Sequence, residues 1–210
     1  NVAHAAGVKD ILVHAFTDGR DSSPTGGAGF SEICEKKLRE SGAQIATIIG
    51  RYFAMDRDKR WDRTKKAWDA VVLGRGEACQ STASAALRRE YENGKTDEFM
   101  PPLIFSFPNE QRVRDGDTVL FFNFRADRAR QLSQAFLLQD FDCFDREIWP
   151  RVHYVTLTQY DATYSSPFIF SFEQLSKILG EVVSGAGKPP LRIAEAERYT
   201  NFTYFFNGGV

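Results

Sequence analysis

Apolar positions along the chain fall in two alternating rhythms, short unbroken runs and stripes of helical period. "DILVHAF" (10–16) reads as a strand. "FSEICEKKLRESG" then places Phe30, Ile33, Cys34 and Leu38 on one helical face and stops at Gly42. "QIATIIG" (44–50) is the next strand, and "DKRWDRTKKAWDAVVLG" sets Trp61, Trp68, Val71 and Val72 on a stripe that ends at Gly74. A helix is predicted for "TASAALRREYENG" (82–94), a turn and strand for "DGDTVLFFNF" (115–124), a helix for "DRARQLSQAFLL", and a strand for "HYVTLTQY" (153–160). Ser171 and Gln174 form a capping-box pattern that opens a helix in "FEQLSKILGEVV", and "PLRIAEAE" and "FTYFF" supply two last strands. The irregular stretch 96–114, with its "PPLIF", reads as a surface excursion. "NVAHAAG" reads as the last turns of a helix stopped by Gly7, so the chain is expected to be a piece of something longer. Strand-helix alternation predicts an α/β fold: a three-layer α/β/α arrangement on a mixed, mostly parallel sheet, one domain over residues 1–210.

Composition narrows the picture modestly. With 42% hydrophobic and 26% charged residues the chain is an ordinary globular one. No apolar stretch approaches the roughly 20 residues of a membrane span, and the start lacks a signal peptide's charged front and apolar middle, which together suggest a cytoplasmic protein. Cys34, Cys79 and Cys143 are odd in number and scattered, so they are expected as reduced, packed thiols and not as a disulfide framework or metal site. A net charge of −1 gives no reason to expect a nucleic-acid or membrane partner. Distribution says more: 18 of the 27 basic residues, by count along the chain, are Arg. Arg presents a rigid planar fork suited to carboxylate and phosphate, so this bias without net positive charge points to a local pocket for a small anion.

Ligands of open α/β sheets bind beyond the carboxyl ends of strands. Three unusual stretches stand there. "TDGRDSSPTGGAGF" follows the first strand with Asp18, Arg20 and Asp21, "GRYFAMDRDKRW" follows the second with Arg51 and Arg57, and "NFRADRAR" follows the strand ending at Phe124 with Arg125 and Arg128. Each has a plainer reading. Arg125 and Arg128 suit ion pairs with Asp127, Asp18 and Asp21 suit turn formation, and Tyr52, Phe53 and Trp61 suit core packing. It is the conjunction of three Arg-bearing loops after three strands that favours an anion site. His14, inside a strand pattern, is expected as a hydrogen-bonded core histidine. The chain shows no H-x-x-H, G-x-S-x-G, G-x-G-x-x-G or G-x-x-x-x-G-K signature.

The same blocks, together with "TDEFMPP" and "FTYFFNGG", closely resemble the cofactor-independent phosphoglycerate mutases and occur in that family's order along nearly the whole chain. The resemblance implies an inserted, substrate-binding α/β domain (1–210) of a two-domain enzyme, with the alkaline-phosphatase-like metal domain lying outside this chain. It further implies interconversion of 3-phosphoglycerate and 2-phosphoglycerate, in glycolysis and gluconeogenesis, through a serine of that other domain. Two divalent ions, usually manganese, would be held there and none by this chain. The implied partners are the small-molecule substrate and the phosphatase domain of the same polypeptide, in a monomer. The chain alone is expected to be inactive.

Matched motif by motif, Arg20 and Asp21 resemble the family's substrate-binding pair, with Asp21 the candidate catalytic acid/base. Arg51, Arg57, Arg125 and Arg128 resemble its substrate-binding arginines. The aromatics of the second block would anchor their loop while Arg51 and Arg57 point at the anion. Near the end the chain departs from the family: Arg198 stands where the family has an active-site lysine, Ala196 where it has threonine, Asn201 where it has histidine, and Ala126 replaces a proline. Arg198 keeps the charge in a larger, flatter donor. An alternative therefore stays open, a diverged binding module for another phosphorylated acid or a sugar phosphate.

Overall fold

The computed structural model describes residues 2–105, 113–171, 175–193 and 195. Its elements, in chain order, are α1 (Val2–Ala5), β1 (Leu12–Thr17), α2 (Gly27–Arg39), β2 (Gln44–Gly50), α3 (Arg51–Ala54) and α4 (Trp61–Trp68), which continues as a π-turn over Asp69–Leu73. Then come β3 (Glu77–Cys79), α5 (Ala83–Glu92), β4 (Leu103–Phe105), β5 (Thr118–Phe121), α6 (Ala126–Leu137), β6 (His153–Thr158), β7 (Phe168–Phe170) and α7 (Leu179–Gly185). The fold is α/β with mixed pairing, as the alternation predicts. The strands are shared between two sheets, of order β1-β2-β4-β3 and β5-β6-β7. β1 with β2, β3 with β4 and β5 with β6 run parallel, and β4 runs antiparallel to β2.

Helices cover both faces of β2. Ile45 and Ile48 join Ala28 of α2 and Ala86 and Leu87 of α5 in one core, while Ile49 packs with Ala54 of α3 and Ala67 of α4 in another. Ile45 and Ile48 share a side although three apart, because the β1–β2 register slips between Val13 and His14, leaving Ala46 as an extra residue. The second sheet has its own core, in which Trp68, Val71 and Val72 meet Phe121, Phe136 and Tyr154. Fully burying such side chains contributes about 1.5–3 kcal/mol each. The helical stripe from Trp61 ends at Gly74 in the left-handed conformation (φ 65°), as the sequence suggests, with Trp61 only half-buried against Phe141.

Several expectations are corrected. The first part of the stretch 96–114, residues 96–105, is no surface excursion: Met100 and Leu103 are fully buried, and β4 lies inside its sheet between β2 and β3. β3, unforeseen, forms its edge. In α2 the inward positions are Ala28 and Ser31, with Cys34 and Leu38, whereas Phe30 and Ile33 are exposed. Cys79 is a buried thiol as expected, but Cys143 is exposed. The last described helix begins at Leu179, behind an extended Ile178, so residues 175–178 are not helical. Gln174 of the capping pattern and "FTYFF" lie outside the described residues, and Pro190–Ile193 form no strand.

By its internal contacts the chain divides into two compact units, Asn1–Ile169 and Phe170–Val210. The three arginine-bearing blocks lie in the first.

Candidate functional site

β1, β2 and β5 each end in one of the three arginine-bearing blocks, and the structure brings their side chains together. β2 passes directly into the single-turn helix α3, whose first residue is Arg51. Its guanidinium is buried, and one nitrogen, Nη1, donates both to Asp18 Oδ1 and, at 2.7 Å, to Asp21 Oδ2. The Asp18 carboxylate also accepts the Asp21 N–H at 3.2 Å, folding the loop back on itself. Burial works against charge on Asp18, but hydrogen bonds from Arg51 and Ser22 outweigh it and hold the carboxyl below its ordinary range.

A second knot forms where α6 begins. Arg125 grips Asp127 with two bonds, Nε to Oδ1 at 2.7 Å and Nη2 to Oδ2 at 3.1 Å. Arg57 donates to the same carboxylate at 3.0 Å. Burial again opposes charge on Asp127, and the Arg125 and Arg57 hydrogen bonds again prevail, leaving it acidic. Arg128 points back toward the second block and donates from Nη1 to the Met55 carbonyl at 3.0 Å. Its pKa is pushed down first by burial and then by the positive charges of Arg57 and Arg51, with a smaller push from Arg125. Four guanidiniums therefore share one field. Arg128 Nε is buried without a hydrogen-bond partner among the described residues, as is Asn123 Nδ2 in the segment leading from β5 to α6.

Arg51, Arg57, Arg125 and Arg128 thus meet, and Asp21 joins them through Arg51. Arg20 is turned elsewhere, to Glu98 at 3.7 Å. Arg198, Ala196 and Asn201 lie outside the described residues. The aromatics of the second block do pack: Tyr52 meets Phe53 and Phe99, with Arg63 over its ring. His14 is hydrogen-bonded to Thr47 at 2.9 Å, and burial pushes its imidazole down to about 4.

Behind this surface lie buried polar residues that no sequence motif marks. Asp97 accepts the Tyr91 hydroxyl at 2.6 Å and the Gly27 N–H at 2.7 Å, and its carbonyl accepts Thr17 Oγ1 at 2.7 Å. The segment it begins also hydrogen-bonds the end of β2 and the start of α3, through Gly50 N–H to the Met100 carbonyl and Tyr52 N–H to that of Glu98. Residues 97–100 therefore join the first two blocks. Gly19, in the left-handed region (φ 65°), and Gly27 leave no room at this joint: an added Cβ would stand 2.5 Å from Glu98 N and from Asp97 Oδ1, respectively. The signal available in the sequence was the acid of "TDEFMPP", whose burial only tertiary packing reveals.

The chain is similar to known proteins over nearly its whole length. The family described as "BPG-independent PGAM N-terminus (iPGM_N)" matches residues 1–162. The chain is 62% identical over 208 residues to a 2,3-bisphosphoglycerate-independent phosphoglycerate mutase of Akkermansia muciniphila, covering 99% of this chain and 40% of that protein. It is 49% identical over 210 residues to the protein of the same description from Syntrophotalea carbinolica, covering 99% and 41%. A solved structure of Leishmania mexicana phosphoglycerate mutase, at low cobalt concentration, matches with a TM-score of 0.83 at 34% identity, over 99% of this chain and 40% of that one. The chain spans about two fifths of the length of these relatives.

Proposed function

The chain belongs to the BPG-independent phosphoglycerate mutase family, and from that premise we propose that residues 1–210 are the substrate-binding domain of an enzyme interconverting 3-phosphoglycerate and 2-phosphoglycerate. One observation carries the reading. Arg128 buries an Nε donor that has no hydrogen-bond partner among the described residues, in the combined field of three further guanidiniums. A buried donor without an acceptor costs about 1–3 kcal/mol, and a phosphate or carboxylate oxygen supplied there would remove that cost.

In this reading Arg51, Arg57, Arg125 and Arg128 take the phosphate and carboxylate of the glycerate, exchanging part of their bonding to Asp18, Asp21 and Asp127 for the substrate. Asp21, the more exposed of the two acids on Arg51, serves the glycerate hydroxyls as general acid/base. Arg20 and Arg198 complete the substrate-binding set. Held guanidiniums keep the glycerate oriented while it turns, which limits its loss to water. The phosphoryl-accepting serine belongs to the phosphatase-like domain, in the part of the relatives' length that this chain does not span, and that domain is the chain's partner. Two divalent ions, manganese by the family resemblance, would stabilise the charge of the transferred phosphoryl group there. Among the described residues no group of three or more His, Cys, Asp and Glu is placed to hold a metal ion. We assign the activity to glycolysis and gluconeogenesis, in a cytoplasmic monomer. Among the described residues, no helix is long and apolar enough to cross a membrane.

The test is turnover of 3-phosphoglycerate by the full-length protein, wild type beside Arg128→Ala. The wild type is expected to be active and the variant to lose about 100-fold in kcat/KM, the effect of removing one buried charged partner of an anion. A wild type without turnover overturns the reading.

A further inference from the structure

We propose that Gln131 is a positioning residue that fixes the separation between Arg57 and the Arg125–Arg128 pair, and thereby the geometry in which the site grips its anion. The inference rests on the mutase reading and deepens it.

Arg57 sits in a connection, residues 55–60, that belongs to no helix or strand and contains Lys59 in the left-handed conformation (φ 58°). Such a path persists only when its surroundings hold it. Asp56, buried, gathers it from within by accepting the N–H groups of Asp58 at 3.0 Å and Arg60 at 2.9 Å on Oδ2. Gln131 holds it from outside. From α6 its amide donates through Nε2 to Asp56 Oδ2 at 3.0 Å and to Thr64 Oγ1 at 2.8 Å, while Oε1 accepts the Lys59 N–H at 2.8 Å.

The chemistry of this position calls for an amide. On one side stands the Asp56 carboxylate, which accepts only donors and also takes Arg63 Nη1 at 3.3 Å on Oδ1, and on the other a backbone N–H that needs an acceptor. A carboxylate lacks the donor, an ammonium lacks the acceptor, and an apolar residue lacks both. Gln131 also follows Asp127 by four residues, so both project from one face of α6 about 6 Å apart along its axis. Asp127 takes the Arg57 side chain, Gln131 takes the loop that carries it, and Arg128 between them donates to Met55. Three contacts from one helix therefore set where Arg57 stands relative to Arg125 and Arg128. Gln131 is buried behind these contacts, and its amide is fully engaged in them, so it acts through the arginines.

The experiment uses the full-length protein with Gln131→Glu and Gln131→Met, measuring kcat and KM for 3-phosphoglycerate from pH 6 to pH 8. Q131E keeps shape and acceptor but sets a second carboxylate against Asp56. KM is expected to rise about tenfold at pH 8, with kcat within about threefold of wild type. The ratio of variant to wild-type KM should fall toward one as the pH is lowered, because protonation restores an O–H donor. Q131M should show a similar rise that does not change with pH. Wild-type KM in Q131E at pH 8, or a penalty in Q131E independent of pH, overturns the inference. Should Q131E fail to fold, Q131M decides: raised KM with kcat retained supports positioning, and unchanged KM overturns it. An inactive wild type overturns the mutase reading separately. Titration of the same proteins with inorganic phosphate then decides the positioning role, with wild-type affinity in both variants overturning it and weakened affinity in both supporting it.

Discussion

Arginine and aspartate meet twice in this site, and the two meetings are inverted. Beyond β1 and β2 the cation is the buried partner: the Arg51 side chain is 8% exposed, against 36% for Asp18 and 73% for Asp21. At the start of α6 the acid is the buried one, with Asp127 9% exposed against 22% for Arg57 and 39% for Arg125. A buried charge depends on its partner to stay in the interior, whereas the exposed partner can exchange that bond for water or a ligand. The first meeting therefore keeps a carboxylate within reach, and the second keeps guanidiniums within reach. That division suits proton transfer at one end of the site and anion holding at the other.

The largest effect expected from this inversion is that of Asp21→Asn. Its carboxylate is accessible and held by one bond, so removing it should lower kcat by about 10³-fold, as for a lost general acid/base, with folding stability within about 0.5 kcal/mol of wild type. Asp127→Asn should do the reverse. It leaves two guanidiniums facing a neutral group, so about 3 kcal/mol of stability should be lost in urea unfolding while kcat suffers less than in Asp21→Asn. Equal stability losses in the two variants would break the comparison.

Acid unfolding sharpens it further. Both Asp18 and Asp127 have native pKa values below the ordinary carboxylate value near 4. A carboxyl depressed in the folded state stabilises fully above its unfolded pKa, and that contribution is lost as the pH falls through the lower folded value. Comparing urea midpoints at pH 7 and pH 3, Asp127→Asn should shrink the difference more than Asp18→Asn, whose more exposed pair is better screened. The smallest effect is assigned to Gly27→Ala, where Asp97 must shift to admit a methyl group. A loss of about 1–2 kcal/mol is expected in the same urea assay, with the α6 side of the site left intact, so KM should change more through the first block than the second.

Much of this could be read from the residues. β2 matches its apolar run over Gln44–Gly50, α4 and its π-turn end at Gly74, and the three arginine-bearing blocks follow the strands that carry them. β3 and β4 could not, because three residues are too few to show a period and two prolines before Leu103 suggest a loop. The inward face of α2 is not legible because Phe30 and Ile33 outweigh Ala28 and Ser31 in any apolar count, yet close packing of α2 on α5 admits small side chains. Asp56, Asp97 and Gln131 were invisible for a related reason. In a sequence they are ordinary polar residues, and their importance comes from burial beside partners 67 to 80 positions away or from loops they close, which no local pattern records.

The joint made by residues 97–100 carries one more consequence, for mutational tolerance. Gly19 and Gly27 meet it with no side chain, and much of its bonding to the rest of the protein runs through main-chain groups: Asp97 N–H to the Pro24 carbonyl, Gly50 N–H to that of Met100, Tyr52 N–H to that of Glu98. A saturation scan would therefore invert the usual ranking here. The positions with nothing to lose would be the least permissive, whereas Glu98, which contributes its carbonyl to the joint, would accept many side chains so long as the path of its backbone stayed the same.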